Sequence, residues 1–147
     1  MSENPQDVVK TLPAPTSNFV TEMLAADRSR ERLGIWGTEV NSGTATAYLT
    51  VEPDMVNGIE VLHGGFVFAL ADYVFACAAN SVLPRVATAD AQISFLAPAR
   101  LGETLVAEAT VSFSGGRRVI IDVTVCVAER TIALFRGTGR TTGPAKS

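Results

Sequence analysis

Alternating apolar and polar positions dominate the second half of the chain. Apolar residues occupy every second position over residues 105–113 and again over residues 119–127. A period of two places successive side chains on opposite faces of a strand, so each stretch is predicted to be a strand with one buried face. The intervening Ser-Gly-Gly-Arg at 114–117 is typical of a tight hairpin, and Glu129-Arg130 predicts a second turn.

Further strands are predicted on either side of this pair. Residues 86–96 and 131–138 have strand-like patterns, which gives four strands in the second half joined by three antiparallel connections. Residues 45–51 alternate between apolar side chains and threonine or tyrosine, and residues 33–40 form a candidate strand before them. Residues 52–62 contain proline, asparagine and glycine, which favour a loop.

A long apolar segment at residues 64–80 is predicted to be the central helix. Apolar side chains occur on every side of a helix drawn over it, and such a helix is buried on all sides. One small flat sheet cannot cover it, so we expect a curved sheet wrapped around the helix and a second subunit over the remainder. With a short amphipathic helix over residues 19–32, capped by Ser17 or Asn18, the order of elements predicts an α+β fold.

The length of 147 residues predicts one folded domain. Three prolines among polar residues predict a flexible N-terminal tail over residues 1–16. The domain is expected over residues 17–141, with a C-terminal tail at 142–147. Hydrophobic residues make up 47% and charged residues 18% of the chain, which is typical of a globular protein.

Charge and cysteine content limit the classes of binding partner and indicate the cellular compartment. The net charge is −3 and the sequence has no basic arm, which argues against nucleic-acid binding. Residues 64–79 would span about 24 Å as a helix, short of a roughly 30 Å hydrocarbon core, so no membrane span is predicted. The two cysteines lack CxxC spacing and no targeting segment is evident, so we expect a cytoplasmic protein.

Rare residues exclude several kinds of site. The only lysines, Lys10 and Lys146, lie near the termini, which leaves no lysine for a phosphate-binding loop or a Schiff base. His63 is the only histidine, so one chain cannot form a multi-histidine metal site. The glycines at 137–143 lack the GxGxxG spacing and precede no helix, which argues against a dinucleotide site. No metal and no cofactor are predicted.

Asp72 is the main candidate for chemistry. Its helical neighbours include Phe68 and Phe75, and a carboxylate among apolar side chains costs free energy unless it is paired or used. The structural alternatives are an ion pair with an arginine from a strand or a position facing a solvent channel. If it acts as a base, burial should raise its pKa, and the rate should fall as the pH drops.

The start of the same helix is the second candidate. Gly64 and Gly65 allow close approach to first-turn N–H groups, which favour an anion or an oxyanion. The alternative is that these glycines only ease entry into the helix. His63 could act in the reaction or simply cap the helix, and Asn57 could act in the site or simply form a turn.

Helix geometry separates the two candidates. Eight residues from Gly64 to Asp72 span about 12 Å, whereas an oxyanion and its attacking water lie within about 3 Å of their catalytic groups. One helix therefore cannot supply both groups to the same carbonyl. If both act, the sequence predicts an active site shared between two protomers.

Three stretches resemble the hotdog-fold acyl-CoA thioesterases of the phenylacetate-degradation type. The first is the pattern N-G-x4-H-G-G-x5-A-D, which runs from Asn57 to Asp72. Residues 94–105 and 132–137 also fit the family. The resemblance covers about residues 20–140 and leaves only the proline-rich tail outside.

The resemblance implies both assembly and reaction. The fold would be a long central helix wrapped by a curved antiparallel sheet, in homodimers joined edge to edge that share active sites and pair into homotetramers. The reaction would be hydrolysis of an acyl-CoA, here a hydroxylated phenylacetyl-CoA of phenylacetate catabolism, to free acid and CoA. The family uses no metal and no cofactor for this reaction.

The resemblance also implies residue roles. Asp72 would be the general base or nucleophile, the Gly64 N–H would polarise the thioester carbonyl, and Asn57 would position substrate or water. The supporting positions would be His63, Gly65 and, as a substrate- or water-binding hydroxyl, Thr88.

Other functions stay open on the sequence. The alternatives are a thioesterase for other aromatic or medium-chain acyl-CoAs, a hotdog dehydratase, and a non-catalytic acyl-CoA binder. Positive partners for the CoA phosphates are available at Arg85, Arg100, Arg117, Arg118, Arg136 and Arg140.

Overall fold

The computed structural model describes residues 17–142. The predicted tail at 1–16 and residues 143–147 lie outside this part. The helices are α1 (Ser17–Ala26), α2 (Ser29–Arg32) and α3 (Gly64–Val82), with a short 3-10 turn at Pro53–Met55. The strands are β1 (Ile35–Asn41), β2 (Thr44–Thr50), β3 (Val86–Phe95), β4 (Thr104–Gly115), β5 (Arg118–Val127) and β6 (Arg130–Thr141).

All six strands form one antiparallel sheet in the order β1-β2-β4-β5-β6-β3. The expectation of three consecutive antiparallel connections from β3 to β6 is wrong at its first step. β4 already pairs with β2 and β5, so it has no free edge, and β3 pairs with β6 instead. The eight residues between β3 and β4 exceed a hairpin loop and carry the chain across the sheet.

Helix α3 packs across the inner face of the sheet and contacts all six strands. Leu70, Val74 and Phe75 are fully buried against inward-facing strand residues. Gly137 on β6 allows this close approach, because a Cβ there would lie 2.7 Å from the Phe75 ring. Gly137 and Gly139, two of the glycines that fail the dinucleotide pattern, thus have a packing role in β6.

The length of α3 corrects one sequence argument. It has 19 residues, about 28 Å, and by length and composition alone it could cross a membrane, with a mean hydropathy of 1.5. Its length therefore does not exclude a membrane span, contrary to the sequence argument from residues 64–79. Its packing is that of a core helix, since most of its residues are buried against the sheet and α1.

The amphipathic helix predicted over residues 19–32 is two helices in the structure. Asp27 separates them, and its Oδ1 accepts hydrogen bonds from the N–H and hydroxyl of Ser29 at 2.9 and 2.7 Å. This side chain begins α2 as a new helix because it competes with the backbone bonds that would continue α1. Ser17 and Asn18 are the first two residues of α1 and do not precede it, contrary to the predicted cap.

Part of α3 and most of β3 remain uncovered in the single chain. Phe68 is 37% exposed, and β3 is exposed along most of its length. Within residues 17–142, β3 is an edge strand, with β6 on one side and no strand on the other. The sheet thus leaves part of the helix uncovered, and a second subunit over this surface stays a prediction.

Candidate active site

Asp72 lies half-buried in the middle of α3, facing the N-terminal half of β3. The Thr88 hydroxyl donates a hydrogen bond to its Oδ1 at 3.1 Å. Thr88 faces the helix because it pairs with the inward-facing Gly139 just before a bulge that interrupts β3 between Thr88 and Asp90. The structure thus brings together the carboxylate and the hydroxyl that the sequence singled out.

Asp72 has no cationic partner in the described part of the chain. The ion pairs found there are Arg130–Glu103 and Arg136–Asp122. The alternative of an ion pair with a strand arginine is therefore not realised within residues 17–142. Burial raises the pKa of the Asp72 carboxyl, and the Thr88 hydrogen bond offsets part of that rise. A carboxylate of raised basicity suits proton abstraction or nucleophilic attack.

At the start of α3, His63 is the capping residue. Its Nδ1 accepts a hydrogen bond from the Gly65 N–H at 3.2 Å, which satisfies one first-turn donor. The Gly64 N–H makes no hydrogen bond within the described residues. Of the two glycine donors considered from the sequence, Gly64 is therefore the one available to an oxyanion. The capping alternative for His63 is confirmed.

Gly64 lies against an aromatic side chain that the sequence analysis did not identify. A Cβ at this position would lie 3.2 Å from Cζ of Phe95, so a larger residue would press on the ring. Gly64 and Phe95 both line a cavity of about 350 Å³. In the sequence, Phe95 was an apolar residue at a strand end, within a stretch that fits the family, and ordinary packing also explains such a position.

Asn57 forms the turn before the helix. Its Oδ1 accepts hydrogen bonds from the N–H groups of Ile59 and Val61 at 3.0 and 3.3 Å. Its backbone N–H donates to the Val61 carbonyl at 2.8 Å, which closes the loop. This geometry favours the turn-forming alternative and gives no hydrogen bond from Asn57 to Asp72 or Gly64 in the described residues.

The arginines available to phosphate groups differ in their contacts. Arg136 donates two hydrogen bonds of 2.7 Å to Asp122, which occupy one edge of its guanidinium and hold the pKa of Asp122 below its usual range. Arg118 and Arg140 are cross-strand partners on β5 and β6, with no ion pair to either in the described residues. Arg117 precedes Arg118 in the hairpin, so three cations gather at this end of the sheet.

The thioesterase superfamily model matches residues 60–133 of the chain, which include α3 and strands β3 to β5 in full. The chain belongs to the thioesterase superfamily. It is 39% identical to the acyl-coenzyme A thioesterase PaaI of Escherichia coli over 117 residues, which cover 78% of this chain and 83% of that protein.

Solved structures of other members of the thioesterase superfamily have the same fold. The E. coli PaaI protein from the phenylacetic acid degradation operon superposes with a TM-score of 0.82, at 33% identity, over 86% of this chain and 93% of that one. A mutant of the phenylacetic acid degradation protein PaaI from Thermus thermophilus gives 0.75 at 29% identity, over 78% and 99%. The hotdog fold and the thioesterase family expected from the sequence are confirmed.

Proposed function

We propose that this protein hydrolyses acyl-CoA thioesters, with hydroxylated phenylacetyl-CoA as the preferred substrate class. The observation that carries the proposal is the half-buried Asp72 carboxylate. Among the described residues it is held by Thr88 and has no cationic partner, and the first N–H of its helix makes no hydrogen bond there. The names of the two E. coli matches support CoA thioesters and a place in phenylacetate breakdown. We also propose that the protein is located in the cytoplasm.

The proposed reaction adds water to the thioester carbonyl and releases CoA. Asp72 either takes a proton from the attacking water or attacks the carbonyl carbon itself to give an anhydride that water then opens. The Gly64 N–H stabilises the negative charge on the carbonyl oxygen, and the CoA thiolate leaves with a proton. Asn57 and His63 hold the loop and the helix start that position this N–H.

We place each active site between two protomers. β3 has a free edge, with Thr88 near its N-terminal end and Phe95 at its C-terminal end. Antiparallel pairing of two copies along this edge sets opposite ends of the two strands side by side. Gly64 and Phe95 of one protomer then lie beside the partner's Asp72, which resolves the 12 Å separation along one helix. Two such dimers would form the tetramer.

We assign the CoA phosphates to the cluster of Arg117, Arg118 and Arg140. Like charges directly across two strands are unfavourable unless an anion joins them. Arg140 follows Gly139, the cross-strand partner of Thr88, so the cluster lies at the same end of the sheet as Thr88 but on its opposite face.

A truncated substrate tests this assignment of the phosphates. The double variant Arg118→Gln/Arg140→Gln should raise KM for an acyl-CoA several-fold and leave KM unchanged for the matching pantetheine thioester, which lacks the nucleotide phosphates. Arg136→Gln is the control, because its guanidinium is held by Asp122. Equal effects on both thioesters would contradict the assignment.

The function itself is tested by following free-thiol release from a panel of thioesters. The panel contains phenylacetyl-, hydroxyphenylacetyl-, benzoyl-, acetyl- and octanoyl-CoA. Asp72→Asn should lose at least about a hundredfold in kcat, the scale of one acid–base group. Asp54→Asn, an exposed aspartate in the 3-10 turn, should retain the wild-type rate.

Each other outcome points to a different function. Cleavage led by octanoyl- or benzoyl-CoA would assign another acyl group and retain the thioesterase chemistry. Binding of acyl-CoA without cleavage would favour a binder or a dehydratase. An Asp72→Asn variant as fast as wild type would make Asp72 a structural residue and overturn the mechanism.

A further inference from the structure

The cavity at the start of α3 has apolar walls. Its volume is about 350 Å³, near the lower end of the range for small-molecule sites. Every residue that lines it in the described part of the chain is apolar or glycine. Among them are Gly64, Val67, Phe95, Leu96, Pro98 and Ile132. Such walls suit an apolar part of a ligand and offer no side-chain partner to a charged one.

Phe95 forms one flat wall of this cavity. It is paired with the small Ala133 on β6, which leaves its ring room to turn toward the helix start. The ring lies close enough to Gly64 that a Cβ there would reach two of its carbons at 3.2 and 3.3 Å. The side chain is nevertheless 56% exposed, so much of the ring surface faces open space and not the core.

The cavity and the free N–H share one residue. Gly64 lines the cavity and also presents the first N–H of α3, which makes no hydrogen bond in the described residues. When a carbonyl oxygen binds at this N–H, the two substituents of the carbonyl carbon therefore lie at the mouth of the apolar cavity. Of the two substituents of a thioester carbonyl, the acyl group is the apolar one, whereas the sulfur leads toward the polar pantetheine arm and the phosphates.

From this arrangement we infer that Phe95 determines specificity for the acyl group. The cavity holds the aryl ring of an arylacetyl group against the Phe95 ring, and glycine at position 64 leaves that ring in place, whereas a side chain there would push on it. Stacked aromatic pairs contribute about 0.5–1.5 kcal/mol beyond the area they bury, which favours an aryl over an alkyl group of similar size. This inference rests on the proposed thioesterase function and adds the residue that selects its substrate.

Selectivity between esters is the quantity to measure. For wild type and Phe95→Leu, kcat/KM is measured with phenylacetyl-, hexanoyl- and acetyl-CoA. Leucine keeps an apolar wall and removes the flat ring, so the phenylacetyl-to-hexanoyl ratio should fall about three- to tenfold. Acetyl-CoA has no group that reaches the cavity, so its rate should stay within about twofold of wild type.

The chain supplies a matched control at the β4–β5 hairpin. Phe113 is 52% exposed and lies over Gly115, where a Cβ would be 2.8 Å from its ring. Phe113→Leu makes the same chemical change in the same kind of contact outside the cavity. It should leave all three rates and their ratios unchanged.

A double mutant tests the contact between Gly64 and Phe95. Gly64→Ala retains the N–H but pushes on the ring, so it should lower activity toward phenylacetyl-CoA most strongly. Adding Phe95→Leu relieves the clash and should restore part of that activity, so the two changes are not additive. Additive losses would indicate that Gly64 is needed for a reason unrelated to Phe95.

The remaining outcomes separate this inference from the proposed function. If Phe95→Leu slows all three esters alike, or weakens inhibition by free CoA to the same extent, the cavity holds the pantetheine arm or supports the dimer, and the inference is overturned. If wild type cleaves none of the esters, the thioesterase proposal fails first. If the wild-type rate depends on Asp72 and Phe95→Leu has the same phenylacetyl-to-hexanoyl ratio as wild type, only this inference is rejected and the thioesterase proposal stands.

Discussion

Asp72 is a carboxylate whose surroundings favour its neutral form. It lies half-buried on α3 with apolar neighbours such as Phe68 and Phe75, and among the described residues the Thr88 hydroxyl is the hydrogen-bond donor that supports its charge. Burial raises its pKa and Thr88 lowers it again in part. Because the free aspartate pKa is about 3.9, the Asp72 carboxyl should titrate above that value. The fold therefore keeps a carboxyl of raised pKa that has no ion pair within residues 17–142.

The pH dependence of the rate tests the role of Thr88. In the proposed mechanism the ionised form of Asp72 is the active one, so kcat/KM should fall as the pH drops through its raised pKa. Thr88→Val keeps the shape of the side chain and removes the donor, so this acid limb should move to higher pH. Thr124→Val, an exposed threonine on β5, is the matched control. An acid limb that stays in place would assign the titration to another group.

At the scale of elements, the approach of α3 to the sheet depends on glycine. The Phe75 side chain is only 1% exposed, and it occupies the space where a Gly137 side chain would stand. α3 carries both Asp72 and Gly64, so the packing that sets its height above the sheet also sets the geometry of both site halves. Thr88 and Phe95 reach the helix from opposite ends of one strand, β3.

Gly137→Ala tests this packing. The added methyl group would lie 2.7 Å from a ring carbon of a fully buried phenylalanine that cannot move freely. We expect a loss of about 1–3 kcal/mol in the free energy of unfolding, measured by chemical denaturation. Gly58→Ala is the control, because a Cβ there meets no atom within 4 Å. Equal stability of both variants would show that the sheet adapts to the methyl group.

At the scale of the whole molecule, the single chain carries both halves of the proposed site but holds them apart. Gly64 and Asp72 are separated by about 12 Å along a rigid helix. The long free edge of β3 lies between the surfaces that would have to meet. Exposed apolar side chains in the same region, including Phe68, Phe95 and Leu96, are consistent with a covering protomer.

Mixing two inactive variants tests a site shared between protomers. Asp72→Asn and Gly64→Val should each be inactive as homodimers. Refolded together in equal amounts, half of the dimers are mixed, and each mixed dimer has one intact site. We therefore expect recovery of about a quarter of the wild-type activity. The same variants mixed without exchange are the control, and no recovery after proven exchange would place the whole site in one protomer.

Local sequence patterns determined most of the secondary structure. Alternation at residues 105–113 and 119–127 gave β4 and β5, and the apolar run at 64–80 gave α3, because side-chain periodicity follows directly from backbone geometry. The break at Asp27 was missed because it depends on one side chain competing with the helix for hydrogen bonds.

For the candidate site, too, the sequence identified some residues, and only the tertiary structure established the contacts between them. The sequence alone marked Asp72 and Gly64, because a carboxylate among apolar residues and a glycine pair at a helix start are visible locally. Tertiary structure decided that β3 crosses to β6, which brings Thr88 onto Asp72 and Phe95 onto Gly64. Those contacts join residues 16 and 31 positions apart in the chain, and such pairings depend on which strand edges remain free, a property of the whole sheet that no local pattern contains.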